Sequence, residues 1–408
     1  MNLVKNIWDF LIKFIASIWW LFIPVLLFFI YLKIKDFYKT QKERREIEWS
    51  LLEVIPPKEI AKSPKAMEQV FTAVDEISDW ASFEMVGRAG STHFFIRIPS
   101  DYRNLIESSI YAQYPEAEIN LIPEENDYKN QFPPSLPNET YDIWGTEFVL
   151  DKEDGYPIRT YPEFIGKDKE EEIVDPIAGI TETMSKLKGT EAVWLQILVK
   201  PADDEEWNED AEDVIDEILG KEKDESSIFS WITSLASGVA EFINNLFKAF
   251  HTPPSWSSKE EDDDKGGKDL TPGKRKTIEA IENKMSKIGF EAAVRFVYID
   301  RRDAFTQSNI SSVVASLRQF NTNNLNAFTQ NEDIKTDTEG IFKEKTLESR
   351  KKRIFSNYVS NNFPEKTSIL NTEELATIYH YPSTNVKSPL LKRVSTRRGG
   401  PPANLPVQ

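Results

Sequence analysis

The stretch FEMVGRAGSTHFFIRIPSDYRNLIESSIYAQYPEAEINL, Phe83 to Leu121, decides the reading of the fold. Phe94, Ile96 and Ile98 alternate with His93, Phe95 and Arg97, the period of two expected of a strand with two different faces. Gly87 to Gly90 separate that strand from Phe83–Val86, so the two predict a hairpin. Ser100 then stands where a helix N-cap would, and Tyr102, Leu105, Ile106 and Ile110 fall on one helical face. Ala117, Ile119 and Leu121 alternate again as a closing strand.

Upstream, Trp49–Ile55 reads as a strand, and Ser63 with Pro64 opens a helix whose apolar face is Met67, Val70, Phe71, Val74 and Ile77. Strand, helix, strand, strand, helix, strand is the order of the ferredoxin-like split unit. Beyond the proline-rich passage Gln131–Pro137 the order recurs. Its strands are Trp144–Leu150, a run through Val193, Leu195, Ile197 and Val199, Ala292–Ile299, and a short one near Asn326–Thr329. Its helices are Pro176–Leu187 and one carrying Ile310, Val313, Val314, Leu317 and Phe320. The expected fold class is therefore α+β: an N-terminal transmembrane helix followed by two tandem ferredoxin-like (βαββαβ) units, the second with a long helical and partly disordered insertion.

The expected organisation is an anchor at 1–35, a charged stalk at 36–48, the first unit at 49–130 and the second at 140–335 with its insertion at 203–289. C-terminal helices at 336–380 and a basic, proline-rich tail at 381–408 complete it. The anchor rests on Phe14 to Leu32, an uncharged run close to the roughly 20 residues a bilayer-spanning helix needs. Trp19 and Trp20 lie deep within it and Pro24 would kink it. Lys33, Lys35, Lys39, Lys42, Arg44 and Arg45 follow the run, whereas only Lys5 and Lys13 precede it. That asymmetry predicts a single-pass protein of the cytoplasmic membrane, N-terminus outside and body cytoplasmic, with the lipid bilayer as a partner.

Within the insertion, Phe229, Ile232, Leu235, Phe242, Ile243, Leu246 and Phe250 recur at helical spacing over 227–250. An interfacial helix on a membrane, a helix docking on a partner protein and simple packing on the parent domain all suit that pattern.

Composition removes several kinds of chemistry. With no cysteine and three histidines, thiol catalysis, disulfides and cysteine-ligated metal sites are excluded, and histidine-based metal chemistry nearly so. The charge of -17, from 50 Lys+Arg against 67 Asp+Glu, argues against wrapping nucleic acid with the whole surface. Gly267 to Lys274 is the nearest approach to a phosphate-binding loop, but five residues separate Gly267 from Gly273 where four are needed, and Arg275 replaces the Ser or Thr. His93, His251 and His380 lie in separate segments and read as structural or surface residues. No catalytic, cofactor or metal residue is assigned, and the chain is read as non-enzymatic.

Four stretches carry a family resemblance: KSPKAMEQVF from Lys62, FFIRIPSDYRNLIESSIYAQYPEAEI from Phe94, FVYIDRRDAF with SVVASLRQFNTNNLNAF up to Phe328, and LNTEELATIYHYPSTNVKSPLLKRVSTRRGGPPANLP near the C-terminus. Together they resemble the N-terminal region of membrane-anchored conjugative-transfer ATPases of the type IV secretion kind, found especially in candidate-phylum bacteria. In that family this region precedes a helicase-like motor; here the chain stops at Gln408, just after PPANLP where the motor would begin, and either a separately encoded motor or a truncated relic of the gene would account for that. The resemblance implies an adaptor of a DNA-transfer machine that docks a separately encoded hexameric ATPase and itself forms a homo-oligomer such as a hexamer. Lys387, Lys392, Arg393, Arg397 and Arg398, in a tail with no acidic residue after Glu374, would contact the motor or, through the assembly, DNA. A scaffold unrelated to transfer, and an enzyme with a site between the two units, are the alternatives.

Overall fold

A computed structural model describes residues 47–57, 60, 63–164, 175–220, 270–337 and 343–383, with the single residues 28, 31 and 35. The chain divides into two compact units, Met1–Ser50 with Pro99–Asp101, and the remainder. In the smaller unit the Ser100 amide donates to the Glu48 carbonyl at 2.8 Å, and the Ser50 and Ser100 hydroxyls lie 2.8 Å apart.

The expected transmembrane anchor is corrected. Among the described residues no helix is long and apolar enough to cross a membrane. The longest described helix has 17 residues and is rich in lysine and arginine, while the apolar residues are concentrated in short strands buried on both faces. Of Phe14 to Leu32 only Phe28 and Tyr31 are described, 58% and 60% exposed; Phe14, Trp19, Trp20, Pro24 and Leu32 lie outside the described residues. The single-pass membrane location that rested on the anchor is overturned with it.

The first half of the larger unit runs β1 (Trp49–Ile55), α1 (Lys65–Val74), β2 (Ala81–Arg88), β3 (Ser91–Pro99), α2 (Arg103–Gln113) and β4 (Glu118–Ile122). The second half runs β5 (Tyr141–Leu150), α3 (Ala178–Ser185), β6 (Ala192–Pro201), α4 (Asp204–Leu219), α5 (Pro272–Met285), β7 (Gly289–Arg301), α6 (Gln307–Arg318) and β8 (Phe328–Gln330). The described chain closes with α7 (Lys343–Val359), β9 (Ser368–Asn371) and α8 (Thr372–Ile378). Met67, Val70, Phe71 and Val74 of α1 are all fully buried, as their three- and four-residue spacing requires. Ser100 does not cap α2. It sits in a 3-10 turn with its hydroxyl against Ser50, and the helix starts at Arg103. Ala89 and Gly90, at φ 49° and 80°, form the two-residue turn between β2 and β3.

Two separate tandem units are not what these strands build. They form one nine-stranded sheet in the order β4-β1-β3-β2-β6-β7-β5-β8, with β9 on β7. Each half places its strands fourth, first, third, second, and the second strands of the halves join edge to edge. The β2–β6 ladder runs antiparallel over eight residue pairs, from Ala81↔Val199 to Arg88↔Ala192. Two apolar strand edges left open would each carry unpaired backbone groups, and pairing them with each other satisfies both.

Helices α1, α2, α3, α6 and α8 cover one face, over Phe83, Phe94, Leu195 and Phe296. On the other face α7 and the segment Tyr128–Leu136 cover Val86, Phe95, Trp194 and Val297. Helices α4 and α5 pair around Trp207, Ala211, Val214 and Ile281. Gly289 permits this, because a Cβ there would stand 2.6 Å from Trp207 Nε1. The stretch 227–250, with Phe229, Ile232, Leu235, Phe242, Ile243, Leu246 and Phe250, lies outside the described residues.

Candidate functional site

The densest group of ionisable side chains lies beneath α7. Glu147 on β5, Arg295 on β7, Gln196 on β6 and Glu84 on β2 occupy one cross-strand row, each paired with the next in the strand register. All four are buried. Arg295 donates to Glu147 Oε1 through Nε and Nη2 at 2.8 and 2.7 Å, and to Gln196 Oε1 at 2.8 Å. Its remaining reach goes to the carbonyls of Asn357 and Asn362, at 3.1 and 2.9 Å, just where α7 ends. Glu84 accepts from Ser82 Oγ at 2.7 Å and Tyr128 Oη at 2.8 Å, and faces Arg97 and Lys129 at 3.6 and 3.8 Å. Burial works to raise the Glu84 carboxyl, but those two cations and two hydroxyls outweigh it and hold it below the ordinary range.

Lys129 shows the opposite balance. Burial pushes its amine down to about 7, although Glu84 pulls upward. Its described hydrogen bonds are two, to the Tyr358 carbonyl and to Asn361 Oδ1, which a neutral amine can donate. Asn361, left-handed at φ 51° beyond α7, also accepts from Gln196 at 2.8 Å. The Tyr128 and Tyr358 hydroxyls, 3.0 Å apart, are driven well above their usual range, first by burial and then by Glu84. Together these side chains form one buried layer. Its groups are closed over by α7 and engage one another, so its action is to clamp α7 and Tyr128–Lys129 onto four strands.

A second set ties down the C-terminal end of the described chain. Lys284 and Glu374, both fully buried, meet at 3.1 Å, and burial keeps the Glu374 carboxyl above the ordinary range against the pull of Lys284. Glu374 and Asn371 form a capping box at the start of α8. The pattern Asn371-Thr-Glu-Glu374 was visible in the sequence and is the signal that could have located this anchor. Just past α8, His380 places Nδ1 2.8 Å from the Ala376 carbonyl and Nε2 3.0 Å from Asp175, whose other oxygen accepts the Ser383 amide at 2.8 Å. His93 contacts Glu53 at 2.8 Å, and His251 lies outside the described residues. Among the described residues no group of three or more His, Asp or Glu could hold a metal.

The sheet ends in β8 on one side and in β4 on the other, and among the described residues neither has a strand on its outer side. At the β5 and β8 end the chain folds back, Asn331 and Thr336 donating their amides to the carbonyls of Glu147 and Gly145 at 2.8 and 3.0 Å. At the other end β4 pairs with β1 on one side, and among the described residues nothing pairs with its outer side. Leu121 on β4 is 47% exposed and Tyr111 on α2 is 41% exposed, the two large apolar side chains of the larger unit that stand out in this way among the described residues. Glu116, Glu118, Glu124 and Glu125, close to Leu121 in sequence, are exposed as well. An open strand edge with apolar and acidic side chains can take up an extended, basic and apolar segment by strand addition. Sequence reading found β4 but not that it ends the sheet. The tail residues Lys387, Lys392, Arg393, Arg397 and Arg398 lie outside the described residues.

Fold and site together define an α+β module built on one sheet, with a buried layer of ionisable side chains that engage one another. The chain belongs to the DUF8128 family, a domain of unknown function whose match spans residues 32–393. No curated protein matches it.

Proposed function

We propose that this protein is a non-catalytic assembly component of a DNA-transfer machine of the type IV secretion kind, docking an ATPase motor subunit through the β4 edge. The observation that carries the reading is that edge: an unpaired strand beside exposed Leu121 and Tyr111 in a unit whose buried ionisable clusters are engaged internally. The choice of partner rests on the four sequence stretches that resemble the N-terminal region of conjugative-transfer ATPases. Main-chain hydrogen bonds along β4 supply affinity, and the acidic flank selects a basic segment.

The test is co-purification of the full chain from its own cells, with the recovered proteins identified by mass spectrometry. A phosphate-loop ATPase is expected with the native chain and lost with the double variant Leu121→Glu, Tyr111→Glu. Repeated recovery without any such ATPase would sink the proposal.

A further inference from the structure

We infer that the groove between α6 and β8 is a binding site for a small organic carboxylate with an apolar body. It lies at the opposite end of the sheet order from β4 and is independent of what docks there.

Shape supports it first. Two adjoining cavities, of about 300 and about 270 Å³, share Val314, Arg318, Gln330 and Lys335 in their walls. Val314 and Arg318 lie one turn apart on a single ridge of α6, with Ser311 before them. Trp144 and Phe148 of β5, with Leu317 and Phe328, give the cavities an apolar lining that the core holds in place. The groove does not take an added strand. Hydrogen-bonded rungs to β5 at Ala327 and Asn331 turn the Phe328 backbone outward, and there the Asn321 side chain accepts its amide at 2.8 Å and donates to its carbonyl at 3.3 Å. Asn321 stands where a neighbouring strand would, so the occupant is a compact molecule rather than an extended peptide.

Chemistry supports it second. Trp144 is 8% exposed, and its indole N–H, which can only donate, meets no acceptor among the described residues. Arg318, exposed on the α6 ridge, likewise forms no ion pair or side-chain hydrogen bond among the described residues. Lys335 faces Glu332 at 3.6 Å and Asp337 at 3.9 Å, both on exposed side chains and both beyond a hydrogen bond. Three groups that donate and cannot accept thus line one apolar groove. A carboxylate supplies the acceptors they lack, and Arg318 can hold it through two parallel N–H bonds. The buried amide oxygen of Gln330 has no partner either, so that amide can turn towards a ligand without breaking a protein hydrogen bond. An amine-bearing ligand would leave all three donors unmatched.

The full chain is titrated calorimetrically with cinnamate, and with cinnamyl alcohol and inorganic phosphate, which carry the apolar body or the anion alone. One saturable cinnamate site is expected, with each partial probe at least about tenfold weaker, since each lacks half of the recognition. Arg318→Gln and Lys335→Gln should each weaken cinnamate about tenfold, the loss of one charge-assisted hydrogen bond. Lys352→Gln, on α7 across the sheet, should leave cinnamate binding unchanged. Ser311→Trp, which fills the groove from an exposed position, should abolish binding while keeping the native unfolding midpoint.

Trp144 gives a reading that a contact elsewhere would not move. Its indole N–H resonance, identified by its loss in Trp144→Phe, should shift on adding cinnamate to the native chain and stay in place in Ser311→Trp. Absence of saturable cinnamate binding at millimolar concentration would overturn the proposal, as would equal binding of cinnamyl alcohol or of phosphate. Binding untouched by both Arg318→Gln and Lys335→Gln, or an indole resonance unmoved at saturation, would put the probe outside the groove and overturn it equally. The assay contains no ATPase and leaves β4 unaltered, so its failure is separate from failure of the co-purification.

Discussion

The row beneath α7 and the edge at β4 are both parts of one sheet, yet they treat polar groups in opposite ways. In the row, Glu147, Arg295, Gln196 and Glu84 sit side by side on adjacent strands and engage one another or α7. At β4 no described strand pairs with the outer side, and none of the four glutamates forms an ion pair among the described residues. The difference separates structural from recognition roles on physical grounds. A buried polar group held by its neighbours specifies how elements pack, whereas an exposed one is available to another chain.

The strongest way to break this comparison is at Arg295. Arg295→Leu strands Glu147 and leaves Gln196 and the Asn357 and Asn362 carbonyls without their donor, so a loss of about 3–5 kcal/mol is expected in urea unfolding. A loss below about 1 kcal/mol would show the row to be a solvated surface feature rather than a clamp.

Proton linkage at Lys129 sharpens it next. The folded amine titrates at about 7 and the unfolded one at 10.5, so between those values the unfolded chain holds the extra proton and stability rises with pH. Above about 10 the trend reverses, because Tyr128 and Tyr358 ionise in the unfolded chain well before they can in the folded one. Denaturant midpoints measured from pH 7 to 9.5 should climb for the native protein and stay nearly level for Lys129→Met. A native midpoint independent of pH would show that Lys129 keeps its proton when folded.

Smaller effects test the periphery. Ala89, held at positive φ, gains about 0.5–1 kcal/mol of stability on change to Gly, read as a raised unfolding midpoint. Leu121→Ser at the edge should move stability by no more than about 0.5 kcal/mol, in contrast to Arg295. A large loss there would make the edge part of the core rather than a docking strand.

Much of the local structure was legible. The alternation of β3, the stripes of α1 and α6, and the α+β class follow from spacing that single strands and helices impose on their own. The seam between the halves was not legible, because strand pairing joins residues more than a hundred positions apart. Its trace was the run Ala192–Val199, AVWLQILV, apolar on both faces as a strand in mid-sheet must be.

The buried row was hidden for a different reason. Glu84, Gln196 and Arg295 each look like a polar residue on the exposed face of a strand, and α7, distant in sequence, puts them inside. The N-terminal anchor was inferred from hydropathy alone, a measure of composition that contains no tertiary information.

The β2–β6 seam also determines how this molecule can move. Halves joined by a flexible linker would swing about it, but these are joined by eight ladder pairs, with Gln196 donating to Glu84 across the seam. A hinge there would have to break the ladder.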